Sequence, residues 1–181
     1  MGGHEIGRVR KLPERQYHKI YSIVPRMTVD LIIFYKDGII LSKRDIPPCK
    51  GMWHLPGGTV LFGERLYEAA VRISKEEVGL PIKLVGIIGI KEYSRRAAFG
   101  QAVALVFIAE GMSGRLRGNE YAKEVDIFTK LPKNLIKEQR DMLIELGIVS
   151  RDGSLIASLK QLDKLGGGLM MVNKRLWRTP T

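Results

Sequence analysis

A glycine-rich loop that runs into a helix constrains the fold of this chain more than any other segment. Glycine and proline are concentrated between residues 46 and 63, and a helical pattern then runs from about Glu64 to Val78. Gly79 follows this pattern and Pro81 lies just beyond it, which is a typical signal for the end of a helix. The segment therefore predicts a loop, a helix and a second loop in direct succession.

Two adjacent carboxylates lie near the end of this predicted helix. Arg72 and Glu76 are neighbours one turn apart, and Glu77 lies on the adjacent face beside the glycine-rich loop. Carboxylate and loop carbonyl oxygens suit Mg²⁺ or Mn²⁺, and these ions in turn suit a diphosphate. A glutamate pair is also common on a solvated helix surface. The residue types alone therefore leave a metal site and a solvated face as alternatives.

The remaining pattern predicts a mixed α+β fold. Two β-branched runs, Arg26–Tyr35 and Gly38–Lys43, flank a tight-turn signal and predict a hairpin. Asp30 interrupts the first run and is expected to be paired or to face a cleft, because an unpaired buried carboxylate is costly. Further strands are expected at about 83–93, 101–110 and 124–129, and further helices at about 13–23, 134–146 and 155–165. Antiparallel strands with helices outside the sheet predict an α/β/α sandwich.

The positive charge of the chain is concentrated at its two ends. The formal net charge is +11, and residues 1–27 and 147–181 each hold six lysines and arginines against two acids. Clustered basic residues interleaved with aromatic side chains, which would stack nucleic-acid bases, are absent from the sequence, so nucleic acid is not the predicted ligand. The expected organisation is a basic segment with a packing helix at 1–27, a central domain at 28–146, and a basic tail at 147–181 that is poorly ordered at its end.

The single cysteine, Cys49, excludes a disulfide within the chain and favours a reducing, cytoplasmic setting. The N-terminus lacks the apolar core of a secretory signal. Apolar runs in the sequence fall far short of the roughly 18 residues that cross a bilayer. The sequence thus predicts a cytoplasmic protein without a membrane-spanning segment, for which a homodimer is a possible assembly.

The spacing of the loop–helix segment resembles the Nudix box, G-x5-E-x7-R-E-U-x-E-E-x-G-U, in which U is an aliphatic residue. The matching positions are Gly58, Glu64, Arg72, Glu76, Glu77, Gly79 and Leu80. The run from Gly51 to Gly58 is similar to the lead-in of that family, G-x-W-x-L-P-G-G. The resemblance implies a Nudix-type α/β/α sandwich and a Mg²⁺-dependent hydrolase, with Mn²⁺ as an alternative ion.

The same resemblance implies a role for each residue of the box. In the family, the first glycine of the pair and the glutamate pair hold the metal, which corresponds here to the Gly57 carbonyl, Glu76 and Glu77. The structural residues of the box are Gly58, Glu64, Arg72 and Gly79, and the Glu64–Arg72 ion pair is expected to hold the loop against the helix. The implied substrate is a small molecule that contains a nucleoside diphosphate.

Two positions depart from the box, because Ile73 replaces a glutamate and Ser74 replaces an aliphatic residue. The missing glutamate removes charge needed to hold several cations, which leaves a site for one metal or none. The GDP-mannose mannosyl hydrolase branch of the family also lacks this glutamate, and the N-terminal helix, Asp30 and the strand end at Arg44 resemble that branch. In that branch, water displaces the nucleoside diphosphate from the anomeric carbon of a sugar.

The resemblance to this branch leads to the site predictions. Asp30 and Arg44 are candidate catalytic residues, and Arg44 is also a candidate for binding the leaving diphosphate. The late loop at residues 118–124 has no histidine, so Glu120 is the candidate base or late metal ligand. Tyr93 and Arg95 follow a strand end and are candidates for binding the base or sugar.

Three functions remain open at this point. The leading hypothesis is hydrolysis of a nucleotide sugar to a nucleoside diphosphate and a free sugar. The first alternative is ordinary pyrophosphate cleavage of ADP-ribose or a modified nucleotide, with Glu120 in place of the lost ligand. The second alternative is a nucleotide-binding sensor without catalytic turnover.

Overall fold

The chain folds around one mixed seven-stranded β-sheet that carries helices on both faces. A computed structural model describes residues 11–94 and 100–164. The helices are α1 (Glu14–Tyr21), α2 (Leu66–Ile73), α3 (Lys137–Glu145) and α4 (Leu159–Lys164). The strands are β1 (Arg26–Tyr35), β2 (Gly38–Lys43), β3 (Trp53–His54), β4 (Gly57–Thr59), β5 (Ile82–Tyr93), β6 (Ala102–Gly111) and β7 (Glu124–Phe128). This architecture confirms the predicted α/β/α sandwich.

Strand β1 is the centre of the sheet. The strands follow the order β3-β2-β1-β6-β5, with β4 paired to β1 and β7 paired to β2. The β1–β6 pair is parallel, and the other strand pairs are antiparallel. Because β2 contacts only the C-terminal end of β1, the N-terminal half of that edge is open to β4. This pairing brings the glycine-rich loop onto the central strand.

The two faces of β1 bury different residues, as the two-residue period of a strand requires. Leu31 and Ile33 pack towards α2, whereas Ile32 and Phe34 pack towards α3. Both cores are fully formed from aliphatic and aromatic side chains, so the central strand is apolar on both sides. Thr28 and Asp30 are the buried polar residues of this strand, and Asp30 is the one charged side chain buried there, with only 6% of its surface exposed.

The predicted box helix forms, but its last turn is wider than an α-helix. The α-helical part ends at Ile73, and residues Ser74–Val78 form a π-helical turn in which the Gly79 N–H donates to the Ser74 carbonyl. The Ser74 hydroxyl donates to the Leu80 carbonyl at 2.9 Å and is fully buried. Ser74, one of the two residues that depart from the box, therefore has a buried structural hydrogen bond. Gly79 ends the turn at a φ of 78°, which confirms the predicted helix end.

The structure adds three details that the sequence patterns did not predict. The N-terminal helix forms at Glu14–Tyr21, but none of its residues is buried, and the Tyr17 hydroxyl bonds to the side chains of Thr59 and Arg26. The short strands β3 and β4 were not predicted, because their stability comes from pairing with β2 and β1 and not from their own sequence. The packed core extends past residue 146, since Ile148 and Val149 are buried in it.

The described residues contain no helix with the length and apolar character needed to cross a membrane. The final residues of the predicted basic tail, from 165 onwards, lie outside the described part of the chain.

Ile73 provides a test of how the box helix is anchored. Its side chain is 2% exposed and packs in the α2 core, so a carboxylate there would be desolvated without a partner. We expect Ile73→Glu to lower the free energy of unfolding by on the order of 3 kcal/mol or more, whereas Ile73→Val should cost about 1 kcal/mol. Urea denaturation of both variants measures this difference. Equal costs for the two substitutions would contradict the assigned packing.

Candidate active site

A bidentate ion pair joins the glycine-rich loop to the box helix. Arg72 Nε donates to Glu64 Oε1 at 2.7 Å, and Arg72 Nη2 donates to Glu64 Oε2 at 2.9 Å. The same Nη2 donates to the Thr59 carbonyl at 3.1 Å. Burial alone would raise the pKa of Glu64, but the Arg72 guanidinium and the Leu61 N–H outweigh burial and hold that pKa below its usual value. The ion pair that the resemblance implied is therefore present.

Gly57 lies against the central strand at a position where a side chain would not fit. It pairs with Asp30 across the β1–β4 ladder. A Cβ at this position would lie 2.6 Å from Asp30 Oδ1 and 2.9 Å from the Val29 carbonyl oxygen. The absence of a side chain thus allows the loop backbone to lie against β1. On the side of the box helix, the Gly57 N–H donates to Glu77 Oε2 at 3.2 Å.

Glu77 is the more enclosed of the two adjacent carboxylates. Burial raises its pKa to about 7, while the Gly57 N–H and the Arg44 charge act in the opposite direction. Arg44 is itself half-buried, and burial lowers its pKa. Arg44 Nε donates to the Pro48 carbonyl at 2.7 Å, which fixes the guanidinium on the loop between β2 and β3. The positive charge of Arg44 therefore acts on the Glu77 carboxylate and favours its ionised form.

Glu76 is more exposed and is neutralised by two basic side chains. Its Oε2 lies 3.0 Å from Lys11 Nζ and 3.4 Å from Arg72 Nη1. Lys11 lies sixty-five residues away in sequence and just before α1. Sequence reasoning missed this contact because no local pattern links an N-terminal lysine to the box helix. The Lys11 ammonium thus contacts Glu76, a predicted metal ligand, as a bound cation would.

The donor set around these carboxylates fits one hard cation. Glu76 and Glu77 on the box helix would supply carboxylate oxygens, and Gly57 on the glycine-rich loop would supply a backbone carbonyl. The described residues contain no cluster of three or more histidine, cysteine, aspartate or glutamate side chains suited to a metal. Mg²⁺ is often bound by one or two carboxylates together with substrate phosphates, so a small protein donor set is sufficient. Two carboxylates do not provide the charge for several ions.

Asp30 is enclosed on the other side of Gly57. The Tyr93 hydroxyl donates to Asp30 Oδ2 at 2.6 Å, and both residues are about 6% exposed. Burial raises the pKa of Asp30 to about 6, against the lowering effect of the Tyr93 hydrogen bond and the Arg26 charge. Burial and the Asp30 carboxylate both raise the pKa of Tyr93 above its usual range. Asp30 is therefore paired, as expected for a carboxylate inside an apolar strand, and Tyr93 lies behind it.

The remaining predicted residues lie near the edge of the site or outside the described chain. Glu120 is exposed on a tight loop in which Asn119 Oδ1 accepts the N–H groups of Tyr121 and Ala122, each at 2.8 Å. Arg95 lies outside the described residues.

Gly58 packs over Ile73, because a Cβ at Gly58 would lie 3.5 Å from two carbons of that side chain. The apolar Ile73 thus supports the loop from below.

Two clefts border this constellation. One has a volume of about 270 Å³ and is lined by residues that include Arg44 and Asp45. The other has a volume of about 600 Å³ and lies between the box helix and the loop at Arg117–Asn119, with Glu76 in its wall. The second volume falls within the range of ordinary ligand pockets.

Comparisons with known proteins agree with the box and the fold. The NUDIX domain family matches residues 24–158. The chain is 37% identical over 128 residues to an ADP-ribose pyrophosphatase of Methanocaldococcus jannaschii, which covers 68% of this chain and 76% of that protein. It is 34% identical over 83 residues to the low-salt glycan biosynthesis protein Agl8 of Haloferax volcanii, which covers 46% of this chain and 53% of that protein.

A solved structure shows the same fold. The crystal structure of a MutT NUDIX hydrolase from Burkholderia pseudomallei aligns with a TM-score of 0.60 and 29% sequence identity, over 66% of this chain and 96% of that one. These relatives support the Nudix family without singling out the GDP-mannose mannosyl hydrolase branch. The family match extends over most of the described residues, and this chain belongs to the NUDIX domain family.

Proposed function

We propose that this protein is a hydrolase that cleaves the diphosphate bond of a nucleoside diphosphate derivative of the ADP-ribose class, with one bound Mg²⁺ or Mn²⁺. The burial of Asp30 is the observation that favours cleavage of the diphosphate over cleavage at a sugar carbon. Its Oδ2 is bonded to Tyr93 and its Oδ1 faces the Gly57 backbone, so the carboxylate is turned away from solvent. A carboxylate that stabilises a sugar carbon must face the sugar. The geometry thus favours attack of water at phosphorus.

The similarity to the archaeal ADP-ribose pyrophosphatase supports the same choice of substrate class. In the proposed reaction, the water oxygen forms a bond to one phosphorus and the phosphorus–oxygen bond to the second phosphate breaks. The products are a nucleoside monophosphate and a phosphorylated remainder. The cation, when bound, neutralises negative charge on the diphosphate.

The side chains of this site have separate tasks in that reaction. Glu76 and Glu77 would hold the cation together with the Gly57 carbonyl. Arg44, which already acts on the charge of Glu77, would neutralise the diphosphate. Glu120 would take the proton from the attacking water, because its loop borders the cleft that contains Glu76.

A second candidate is hydrolysis at the sugar carbon of a nucleotide sugar. Ile73 favours it, because the site lacks the third carboxylate of the box and has charge for one cation only. The similarity to the glycan biosynthesis protein is consistent with a sugar-containing substrate. This reaction would release a nucleoside diphosphate and free sugar, so product analysis separates the two candidates.

Glu77 tests the proposed metal site. We expect Glu77→Gln to lower kcat by on the order of a hundredfold or more, because it removes charge that holds the cation and leaves the shape unchanged. ADP-ribose turnover with Mg²⁺, read by mass spectrometry of the products, measures the effect. Glu145→Gln is the control, since Glu145 is exposed at the end of α3. Near-normal turnover of Glu77→Gln would remove Glu77 from the site, and binding without any turnover in the wild type would favour the sensor alternative.

Glu120 tests the assignment of the base. We expect Glu120→Gln to lower kcat by roughly a hundredfold while the affinity for Mn²⁺ stays the same, as for a group that accepts a proton and holds no metal. Single-turnover kinetics and Mn²⁺ titration measure the two quantities. A parallel loss of Mn²⁺ affinity would make Glu120 a metal ligand instead, and an unchanged kcat would make it a surface residue.

Lys11 tests whether an internal cation competes with the metal. Because its ammonium lies 3.0 Å from Glu76 on the surface, Lys11→Met should tighten Mn²⁺ binding by about twofold to fivefold, the range of an exposed ion pair. Mn²⁺ titration without substrate, followed by electron paramagnetic resonance, gives the dissociation constant. Lys19→Met in α1 makes the same change in net charge and should leave the constant unchanged. An equal change in both variants would show a general charge effect and no competition at Glu76.

A further inference from the structure

The two clefts beside the carboxylate pair differ in how their basic residues are neutralised. In the cleft at Arg44, the lysines are paired with acids of the same cleft. Lys43 lies 2.9 Å from Glu124, and Lys123 and Lys50 lie 2.7 Å and 3.5 Å from the two oxygens of Asp45. Each lysine of this cleft thus already contacts a carboxylate, although Lys50 and Lys123 share the single charge of Asp45.

The larger cleft has basic residues without such partners. Its lining residues are Arg72, Lys75, Glu76, Arg117, Gly118 and Asn119. The charge of Arg72 is matched by Glu64. Within residues 11–94 and 100–164, neither Lys75 nor Arg117 forms an ion pair. Two positive charges therefore face a concave surface that adjoins Glu76.

The position of Arg117 is built into the box. The Arg117 N–H donates to the Val78 carbonyl at 3.0 Å, at the end of the π-helical turn. Its side chain crosses directly over Gly79, where any Cβ would collide with the aliphatic stem. The stem of Arg117 is thus packed on the backbone, which lowers the entropy that the guanidinium loses on binding a ligand.

The loop that follows Arg117 is also closed by specific contacts. A Cβ at Gly118 would collide with the Ala122 carbonyl, and the Asn119 N–H donates to that carbonyl at 2.9 Å. The wall of the cleft opposite Lys75 is therefore a defined turn. Lys75 and Arg117 are presented from two separate, fixed elements of the backbone.

We propose that this cleft binds a phosphate group on the part of the substrate outside its diphosphate. The proposal rests on the proposed function, in which the cation at Glu76 and Glu77 and the charge of Arg44 hold the diphosphate. Glu76 adjoins this cleft and Arg44 belongs to the other one, so a diphosphate held between them leaves Lys75 and Arg117 for a second anionic group. A phosphomonoester fits this site, because its oxygens accept charge-assisted hydrogen bonds from both an ammonium and a guanidinium. The preferred substrate then carries a phosphomonoester in addition to its diphosphate.

Matched substrate pairs test this preference. ADP-ribose is compared with 2′-phospho-ADP-ribose, and dephospho-coenzyme A with coenzyme A, since each pair differs by one phosphate. We expect kcat/KM in the wild type to be about tenfold higher for the phosphorylated member of at least one pair. In the Lys75→Met/Arg117→Met variant, which keeps both aliphatic stems, that ratio should fall to about one. The control is Lys83→Met/Arg115→Met, which removes the same charge from exposed positions outside the cleft and should keep the ratio.

Two results would overturn the proposal. If the double variant lost activity equally on both members of a pair, the cleft would act on the shared diphosphate and not on the added phosphate. If the wild type showed no preference in either pair, the basic residues would not select an additional phosphate.

A binding measurement separates failure of this proposal from failure of the proposed function. Calorimetry with inorganic phosphate and metal-free protein requires no turnover. We expect the Lys75→Met/Arg117→Met variant to bind phosphate about tenfold more weakly than the wild type and the Lys83→Met/Arg115→Met control. Equal affinities in the three proteins would overturn the anion site. Weaker binding in the variant, together with no turnover of any substrate, would support the anion site and reject the hydrolase.

Discussion

The Arg72–Glu64 ion pair is the interaction on which the rest of the site depends. Its carboxylate is almost fully buried, with 4% of the side chain exposed, and the guanidinium bonds both carboxylate oxygens and the Thr59 carbonyl. Removing either partner would leave a charge in a poorly solvated place. Because the pair joins the glycine-rich loop to the box helix, it sets the distance between Gly57 and Glu77. The proposed metal donors Gly57, Glu76 and Glu77 belong to these two elements.

The sequence predicted the parts of this site that follow a local pattern. The resemblance to the box implied the Glu64–Arg72 ion pair, Gly79 and Pro81 indicated the helix end, and the β-branched apolar run at residues 26–35 indicated strand β1. Contacts between distant segments were beyond such patterns. The bond from Tyr93 to Asp30 and the contact of Lys11 with Glu76 join residues more than sixty positions apart. Long-range contacts of this kind depend on strand order and loop packing, which periodicity does not encode.

The same distinction explains the errors in the predicted elements. Strands β3 and β4 have two and three residues, and they exist because β1 and β2 offer free edges for pairing. A backbone bond from the Gly79 N–H to the Ser74 carbonyl closes the wide last turn of the box helix, and the Ser74 hydroxyl donates to the Leu80 carbonyl. The sequence shows that a serine replaces the aliphatic residue of the box at this position. The buried hydrogen bond of that serine depends on the folded position of Leu80 and has no local sequence pattern. Ile73 likewise departs from the box and supports Gly58 by packing.

These features give a consistent account of a Nudix site with reduced negative charge. Ile73 supplies packing where a carboxylate would supply a ligand, and Lys11 and Arg72 neutralise Glu76. One enclosed carboxylate, Glu77, remains beside the glycine backbone and Arg44. Such a site favours one cation held jointly by protein and substrate, with the phosphates of the substrate completing its coordination.

The position of the new oxygen atom tests the central claim most directly. Hydrolysis of ADP-ribose and of a nucleotide sugar in water enriched in ¹⁸O, followed by mass spectrometry of the products, locates the atom that water attacked. Attack at phosphorus predicts ¹⁸O in a phosphate group of a monophosphate product and none in the sugar hydroxyls beyond exchange. Label at the anomeric carbon, with an unlabelled nucleoside diphosphate, would contradict the account.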